Sequence, residues 1–338
     1  TAFCASAQAQ SLVDLYTAAQ SYDATYQSAK LQFDASLAKA DQAQAARLPT
    51  ANLNVSSSRT NQEIVNAVTT NYGTQTSTLS ASQPLYRPAN WASYEQGKKS
   101  IDLAQAQLVQ AEQDLIVRVS QAYFDVLAAT DTLTFVQAQK KAVAEQLAAA
   151  KRNFEVGTST ITDSREAQAK YDLVIAQELA ANNDLQVKSL ALSQLVGRAN
   201  AQPKPVKQPL DLPSVTPADM NQWVETSQAQ SPAVQQATLA LEVAQLETRK
   251  AQAGHKPTLD LTGSYSAINN NGTSSSAADS RANVATVGLS FNLPLFAGFA
   301  TQNRIKETLA LEDKAQSDLE NAKRNVAQGT RTAFLGVQ

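Results

Sequence analysis

Ser82-Gln83-Pro84-Leu85-Tyr86 and Asn292-Leu293-Pro294-Leu295-Phe296 decide the fold. Each closes an alternating stretch and opens a long helical one. The first helical stretch carries Ala122-Tyr123-Phe124 and the second Thr332-Ala333-Phe334, an offset of about 210 residues. Upstream, Ala43-Gln44-Ala45-Ala46-Arg47-Leu48-Pro49 matches Ala251-Gln252-Ala253-Gly254-His255-Lys256-Pro257 at an offset of 208. Proline stops a helix because it has no N–H and clashes with the preceding turn. Chance matches between Ala-rich helices are common. Two Pro-punctuated junctions in one order at nearly one offset make the chain an internal duplication.

Each copy reads helix, strand, loop, strand, helix. The first helix is expected from about Gln10 to Arg47, with Tyr22, Tyr26, Ala29, Phe33, Ala40 and Ala43 on a coiled-coil seam with one weak position. Val234, Ala237, Leu241, Ala244, Thr248 and Ala251 repeat that seam in the second copy. A helix from about Trp91 to Phe154 carries Ile101, Ala104, Leu108, Ala111 and Leu115, then Val136, Val143, Leu147, Ala150 and Phe154. It would be roughly 95 Å long at 1.5 Å per residue. Alanine at the seams lets helices approach closely.

The strand regions have period two. Leu259, Leu261, Gly263, Tyr265 and Ala267 alternate with Asp260, Thr262, Ser264 and Ser266. Val287, Leu289, Phe291 and Leu293 alternate with Thr286, Gly288, Ser290 and Asn292, and Leu53 and Val55 with Asn52, Asn54 and Ser56. One polar and one apolar face is the mark of an outer-membrane barrel. Aromatics at the junctions agree with it: Tyr86, Trp91 and Tyr94 at one, Phe296 and Phe299 at the other. Four strands cannot close a barrel, and lipid does not tolerate open edges. Either copies of the chain close one together, three giving twelve strands, or the strands form a small soluble sheet. Loops are expected at Ser58 to Tyr72 and Asn269 to Asn283.

The expected layout follows. Residues 1–9 are a signal-peptide remnant, 10–197 the first repeat, 198–219 a Pro-rich connector and 220–338 the second repeat. Strands are expected near 50–60, 73–84, 257–268 and 283–293, with Pro49, Pro84, Pro257 and Pro294 at the repeat junctions. The leader reading rests on Ala7-Gln8-Ala9, the small-x-small form of a signal cleavage site. Cys4 would depart with the leader. Gln338 aligns with about Ala128, so the second repeat is expected to be incomplete at its C-terminal end.

Composition narrows the function. The 338 residues include 11 Gly and 11 Pro, which limits turns, and aromatics are only 6%. One His and one Cys exclude a protein-only His/Cys metal cluster and an intrachain disulfide. A net charge of −2 gives no nucleic-acid footprint. No nucleophile motif, phosphate loop or metal spacing appears. His255, opposite Arg47 in the repeat, stands at a helix end where a cation is favoured. No enzyme activity, metal or cofactor is expected.

The chain resembles the TolC family of outer-membrane efflux proteins along its whole length. The most specific element is Gly157-Thr158-Ser159-Thr160-Ile161-Thr162-Asp163-Ser164-Arg165-Glu166, similar to that family's helix–turn–helix at the periplasmic tip. By its own chemistry Gly157 can stop a helix, and Asp163 with Glu166 has capping-box spacing. The resemblance implies an α+β membrane protein: a homotrimer in which a long coiled-coil α-helical tunnel carries a twelve-stranded outer-membrane β-barrel. It implies passive export across the outer membrane from a periplasmic adaptor and an inner-membrane pump, either a secretion ATPase or a proton-driven transporter. It also implies tip gating by Gly157, Thr162, Asp163 and Arg165, and membrane-interface anchoring by Tyr86, Trp91, Tyr94, Phe296 and Phe299. The Ile-Thr-Asp step favours the branch serving type I protein secretion and drug efflux. The lipid-anchored multidrug branch is the alternative. A coiled-coil surface protein is the second alternative, and it leaves the duplicated junctions unexplained.

Overall fold

The structure is a computed structural model describing residues 10–63, 70–207, 214–273, 276 and 278–337. The leader reading with Cys4, and the connector prolines Pro209 and Pro213, lie outside the described residues. The elements are α1 (Leu12–Tyr22), α2 (Ala24–Ala45), β1 (Thr50–Gln62), β2 (Thr70–Tyr86), α3 (Pro88–Glu155), α4 (Ile161–Val196), α5 (Met220–Gln230), α6 (Pro232–Gln252), β3 (Thr258–Asn271), β4 (Asp279–Asn292) and α7 (Ala300–Val337).

The first helix is two helices, not one. Between α1 and α2, Asp23 is extended (φ −61°, ψ 116°), and its Oδ1 accepts the Tyr26 N–H at 2.8 Å. The second copy breaks at the matching position, without a side-chain cap bond. Ser231, with φ −63° and ψ 127°, separates α5 from α6, and Pro232 opens the new helix where its missing N–H costs nothing. Asp23 and Ser231 are 208 residues apart, the offset of the junction prolines. In the first copy the seam runs from Tyr22 to Tyr26 across the break, so apolar periodicity hides it.

The described chain divides into two compact units, Thr1–Gln32 with Gln107–Thr216, and Phe33–Ala106 with Pro217–Gln338. The first unit holds a core of Leu15, Ala19, Leu115, Val119, Leu192 and Val196, joined by Tyr123, Val126 and Ala201. The start of the connector is fastened to it. The Gln10 N–H donates to the Gln202 carbonyl at 2.9 Å, and the Tyr123 hydroxyl to the Lys204 carbonyl at 2.7 Å.

In the second unit all four strands form one antiparallel sheet ordered β1-β2-β3-β4. The β2–β3 pair joins the two copies, so this unit draws on both. Helices here do approach closely. A Cβ on Gly97 of α3 would lie 3.3 Å from Ala40 Cα and 3.3 Å from Ala43 Cβ. Gly97→Leu should therefore cost about 2 kcal/mol despite its better helix propensity, because overpacking against backbone cannot relax. A thermal unfolding midpoint matching the parent's would refute the close approach.

Candidate functional site

The sheet registers place its residues on two distinct faces. One face reads Leu53–Leu79–Tyr265–Ala285, then Ala51–Ala81–Gly263–Val287, and ends on Tyr86–Leu259–Phe291. The other reads Asn52–Ser80–Ser264–Thr286 and Asn54–Thr78–Ser266–Val284, with Thr78 and Ser266 hydroxyls 2.9 Å apart. In β2, flanked on both sides, Gln75, Ser77, Leu79 and Ala81 are exposed, while Thr74, Thr76, Thr78 and Ser80 are half-buried. Side chains crowd on one face and splay on the other when a sheet curves toward the crowded face. The polar face is therefore the concave one. The apolar face is convex and bare: Val287 is 82% exposed and Leu53 70%. Lipid is the medium in which such a surface is stable.

The strands run on into the expected loops and shorten them, because the Ser/Thr/Asn runs stay in register to Gln62–Thr70 and Asn271–Asp279. Polar residues end the hydrophobic alternation without ending the backbone ladder.

The four prolines do not all stand at element boundaries. Pro49 and Pro257 immediately precede β1 and β3, and Pro294 follows β4. Pro84 lies inside β2, opposite Asp260, where the register shifts before Tyr86 meets Leu259. The shift lets β2 run on beside β3, and Arg87 then grips Asp260 through two bonds, Nε–Oδ1 at 2.8 Å and Nη2–Oδ2 at 2.6 Å. This fork ties the end of the first copy's hairpin to the second copy's strand. Sequence reasoning missed it, since the two residues meet only through the sheet.

The aromatics form two groups. Trp91 and Tyr94 stack on the Arg47 guanidinium, 3.5 Å and 4.6 Å from the ring centres. Phe296 and Phe299 pack edge-to-face at 5.4 Å, and Leu295 beside them is 90% exposed. Phe299 is held at φ +65°, a left-handed conformation costly for an aromatic residue. Tyr86 joins neither group and closes the last apolar rung.

At the turn between α3 and α4, Gly157 has φ +79°, the Gly157 N–H reaches the Phe154 carbonyl and the Thr158 N–H the Asn153 carbonyl. This is a glycine helix stop. The helix that follows starts three residues earlier than the Asp163–Glu166 spacing suggested. Thr160 is the N-cap: its hydroxyl accepts the Asp163 N–H at 3.2 Å, and Asp163 Oδ2 accepts the Thr160 N–H at 2.9 Å. Glu166 instead pairs with Lys170 at 2.7 Å, one turn on. The Thr160 backbone and hydroxyl, with Ser159, hold the Asp163 carboxyl below its ordinary pKa. Thr162 and Arg165 are exposed beside it. Among the described residues no group of His, Cys, Asp and Glu could hold a metal ion.

The model of the family described as outer membrane efflux protein matches residues 15–198 and 223–338. The chain is 32% identical over 326 residues to the outer membrane protein TolC of Vibrio cholerae, covering 96% of this chain and 73% of that one. It is 28% identical to the proteases secretion protein PrtF of Dickeya chrysanthemi, covering 97% and 73%. Among solved structures, CusC superposes with a TM-score of 0.79 at 17% identity, covering 96% of this chain and 74% of that one. VceC of Vibrio cholerae gives 0.77 at 18%, covering 93% and 75%. The two-faced sheet, the duplicated helices and these matches agree, and the chain belongs to the outer membrane efflux protein family.

Proposed function

We propose that three copies of this chain close one twelve-stranded barrel and continue it as a helical tunnel into the periplasm. The chain is an outer-membrane exit duct for secretion and efflux. The observation that carries the trimer is the sheet itself: polar and concave inside, apolar and convex outside, with β1 and β4 at its two edges. In hydrocarbon each unsatisfied backbone group of an edge costs several kcal/mol. Pairing β1 of one copy with β4 of the next removes both edges, and the family resemblance supports closure at three. Small polar side chains such as Asn52, Ser80, Ser264 and Thr286 line the concave face, and conduction through it is passive. A periplasmic adaptor and an inner-membrane pump deliver the substrate. The protease-secretion and efflux relatives support type I protein secretion and drug efflux as its uses. Planar-bilayer recording tests the reading: the purified full chain should give discrete conductance steps, and a protein with none is not a duct.

The α3–α4 turn is the periplasmic tip, and Thr162 and Asp163 bond across to the second repeat's tip helix to hold the resting state. Asp163 Oδ2 is spent on the cap, while no bond to Oδ1 is found among the described residues. Asp163→Ala should raise resting conductance and antibiotic leakage. Thr160→Ala removes the cap but keeps the carboxylate, and should leave both unchanged. Equal rises in the two variants would assign the effect to the cap.

A further inference from the structure

The duplication holds at the level of strand register. Thr50 faces Ser82 in the first hairpin, and their repeat equivalents Thr258 and Asn292 face each other in the second. β2 then meets β3 across the border between the two repeats, with Gln83 facing Leu261 and Ala81 facing Gly263. There the second strand of one hairpin lies beside the first strand of the next. β4 is also a second strand and β1 a first. Both are exposed at every position but Gln62 and Gly288, whereas β2, flanked on both sides, is half-buried at alternate positions from Thr74 to Ser82.

We propose that β4 of one chain joins β1 of the next chain in the register that β2 and β3 show. Carried over by the repeat, Gln83–Leu261 becomes Leu293 opposite Leu53 of the next chain, and Ala81–Gly263 becomes Phe291 opposite Val55. This register keeps the two faces of the sheet whole. Leu53 and Phe291 lie on the apolar face, and Val55 and Leu293 follow them two residues on. A slip of one residue would set Phe291 against Asn54 or Ser56 and turn polar side chains onto the apolar face. The inference rests on closure by copies of the chain, and adds which residues meet.

The two borders differ at their lower end. Within the chain, Arg87 grips the buried Asp260 through two bonds. The repeat equivalents of that pair are Ala297 and Asn52, which cannot form an ion pair. At this level the border between chains is held by the strand ladder and apolar rungs alone. It is the weaker of the two.

Cysteine pairs in the full chain test the register, in a Cys4→Ser background oxidised with copper phenanthroline. Phe291→Cys with Val55→Cys should give a covalent trimer, lost on reduction, because opposed Cα atoms stand about 4.5–5.5 Å apart, within disulfide reach. Within one chain two strands separate β1 from β4, which puts them about 14 Å apart and prevents the bond. Phe291→Cys with Leu53→Cys, or with Ser57→Cys, sets the thiols on diagonal positions about 7–8 Å apart and should give at most about a tenth as much. A bond in a slipped pair only overturns the register and leaves closure standing. No bond in any of the three pairs overturns both. Asn52→Asp with Ala297→Arg rebuilds the fork between chains, and should raise the temperature at which trimers dissociate in detergent by about 5 °C, with neither single change doing so. A midpoint equal to the parent's overturns the equivalence of the two borders.

Discussion

Gly197→Ala should destabilise the protein by about 3 kcal/mol or more, a large effect for one methyl group. Two costs combine. Gly197 ends α4 at φ +67°, ψ 20°, where an L-residue costs about 1–2 kcal/mol. The added Cβ would also lie 2.3 Å from Tyr22 Cγ and 2.5 Å from Cδ2. Cγ can leave only by rotation about χ1, which swings the whole ring off Gly197. Tyr22 is the last residue of α1, immediately before the break at Asp23. A double variant separates the costs. Tyr22→Ala in the Gly197→Ala background should recover the steric part and leave about 1 kcal/mol of backbone strain. Thermal unfolding of the four proteins gives the cycle. A Gly197→Ala midpoint within error of the parent, or no recovery in the double variant, contradicts the clash.

What the sequence made legible followed from periodicity and proline. The duplication could be read because Pro49 and Pro257 interrupt matched helices at one offset. The sheet could be read because Leu259 to Ala267 and Val287 to Leu293 alternate. The seam's weak position is Ser36, half-buried in line with Phe33 and Ala40. Three features stayed hidden for definite reasons. Asp23 breaks a helix without breaking the heptad, and the signal available was a capping-type residue at the matching positions 23 and 231, with Pro232 behind the second. Thr160 and Asp163 both offer cap spacing to a partner three residues on, and local sequence does not say which frame wins. Arg87 and Asp260 become neighbours only through strand register. Sequence reasoning thus recovered the elements and their order, and lost the groups whose meaning depends on long-range pairing.

The Asp23–Arg118 pair is where such pairing matters most for stability. Arg118 of α3 donates from Nη1 to Asp23 Oδ2 and from Nη2 to Asp23 Oδ1, both at 2.9 Å. The Asp23 side chain is only 8% exposed, and it also caps α2. One carboxylate thus holds the break between two helices and fastens it to a third. Arg118→Ala should cost about 3 kcal/mol, because it leaves a nearly buried carboxylate without its counter-ion. Asp23→Asn keeps most of the cap and should cost less. The two variants also differ in acid. The Arg118 hydrogen bonds, then those from the Tyr26 and Thr25 backbone, hold the Asp23 carboxyl below its ordinary value of 3.8. A carboxyl depressed in the folded state contributes stability that is complete above the unfolded pKa and is lost as pH falls through the folded one. The parent should therefore keep this contribution at neutral pH and lose it progressively below about pH 4. Asp23→Asn should remove that share of the acid slope and leave the rest. Unfolding midpoints measured from pH 7 down to about pH 3 check this. A variant whose acid slope equals the parent's would show that Asp23 does not anchor the break through its charge.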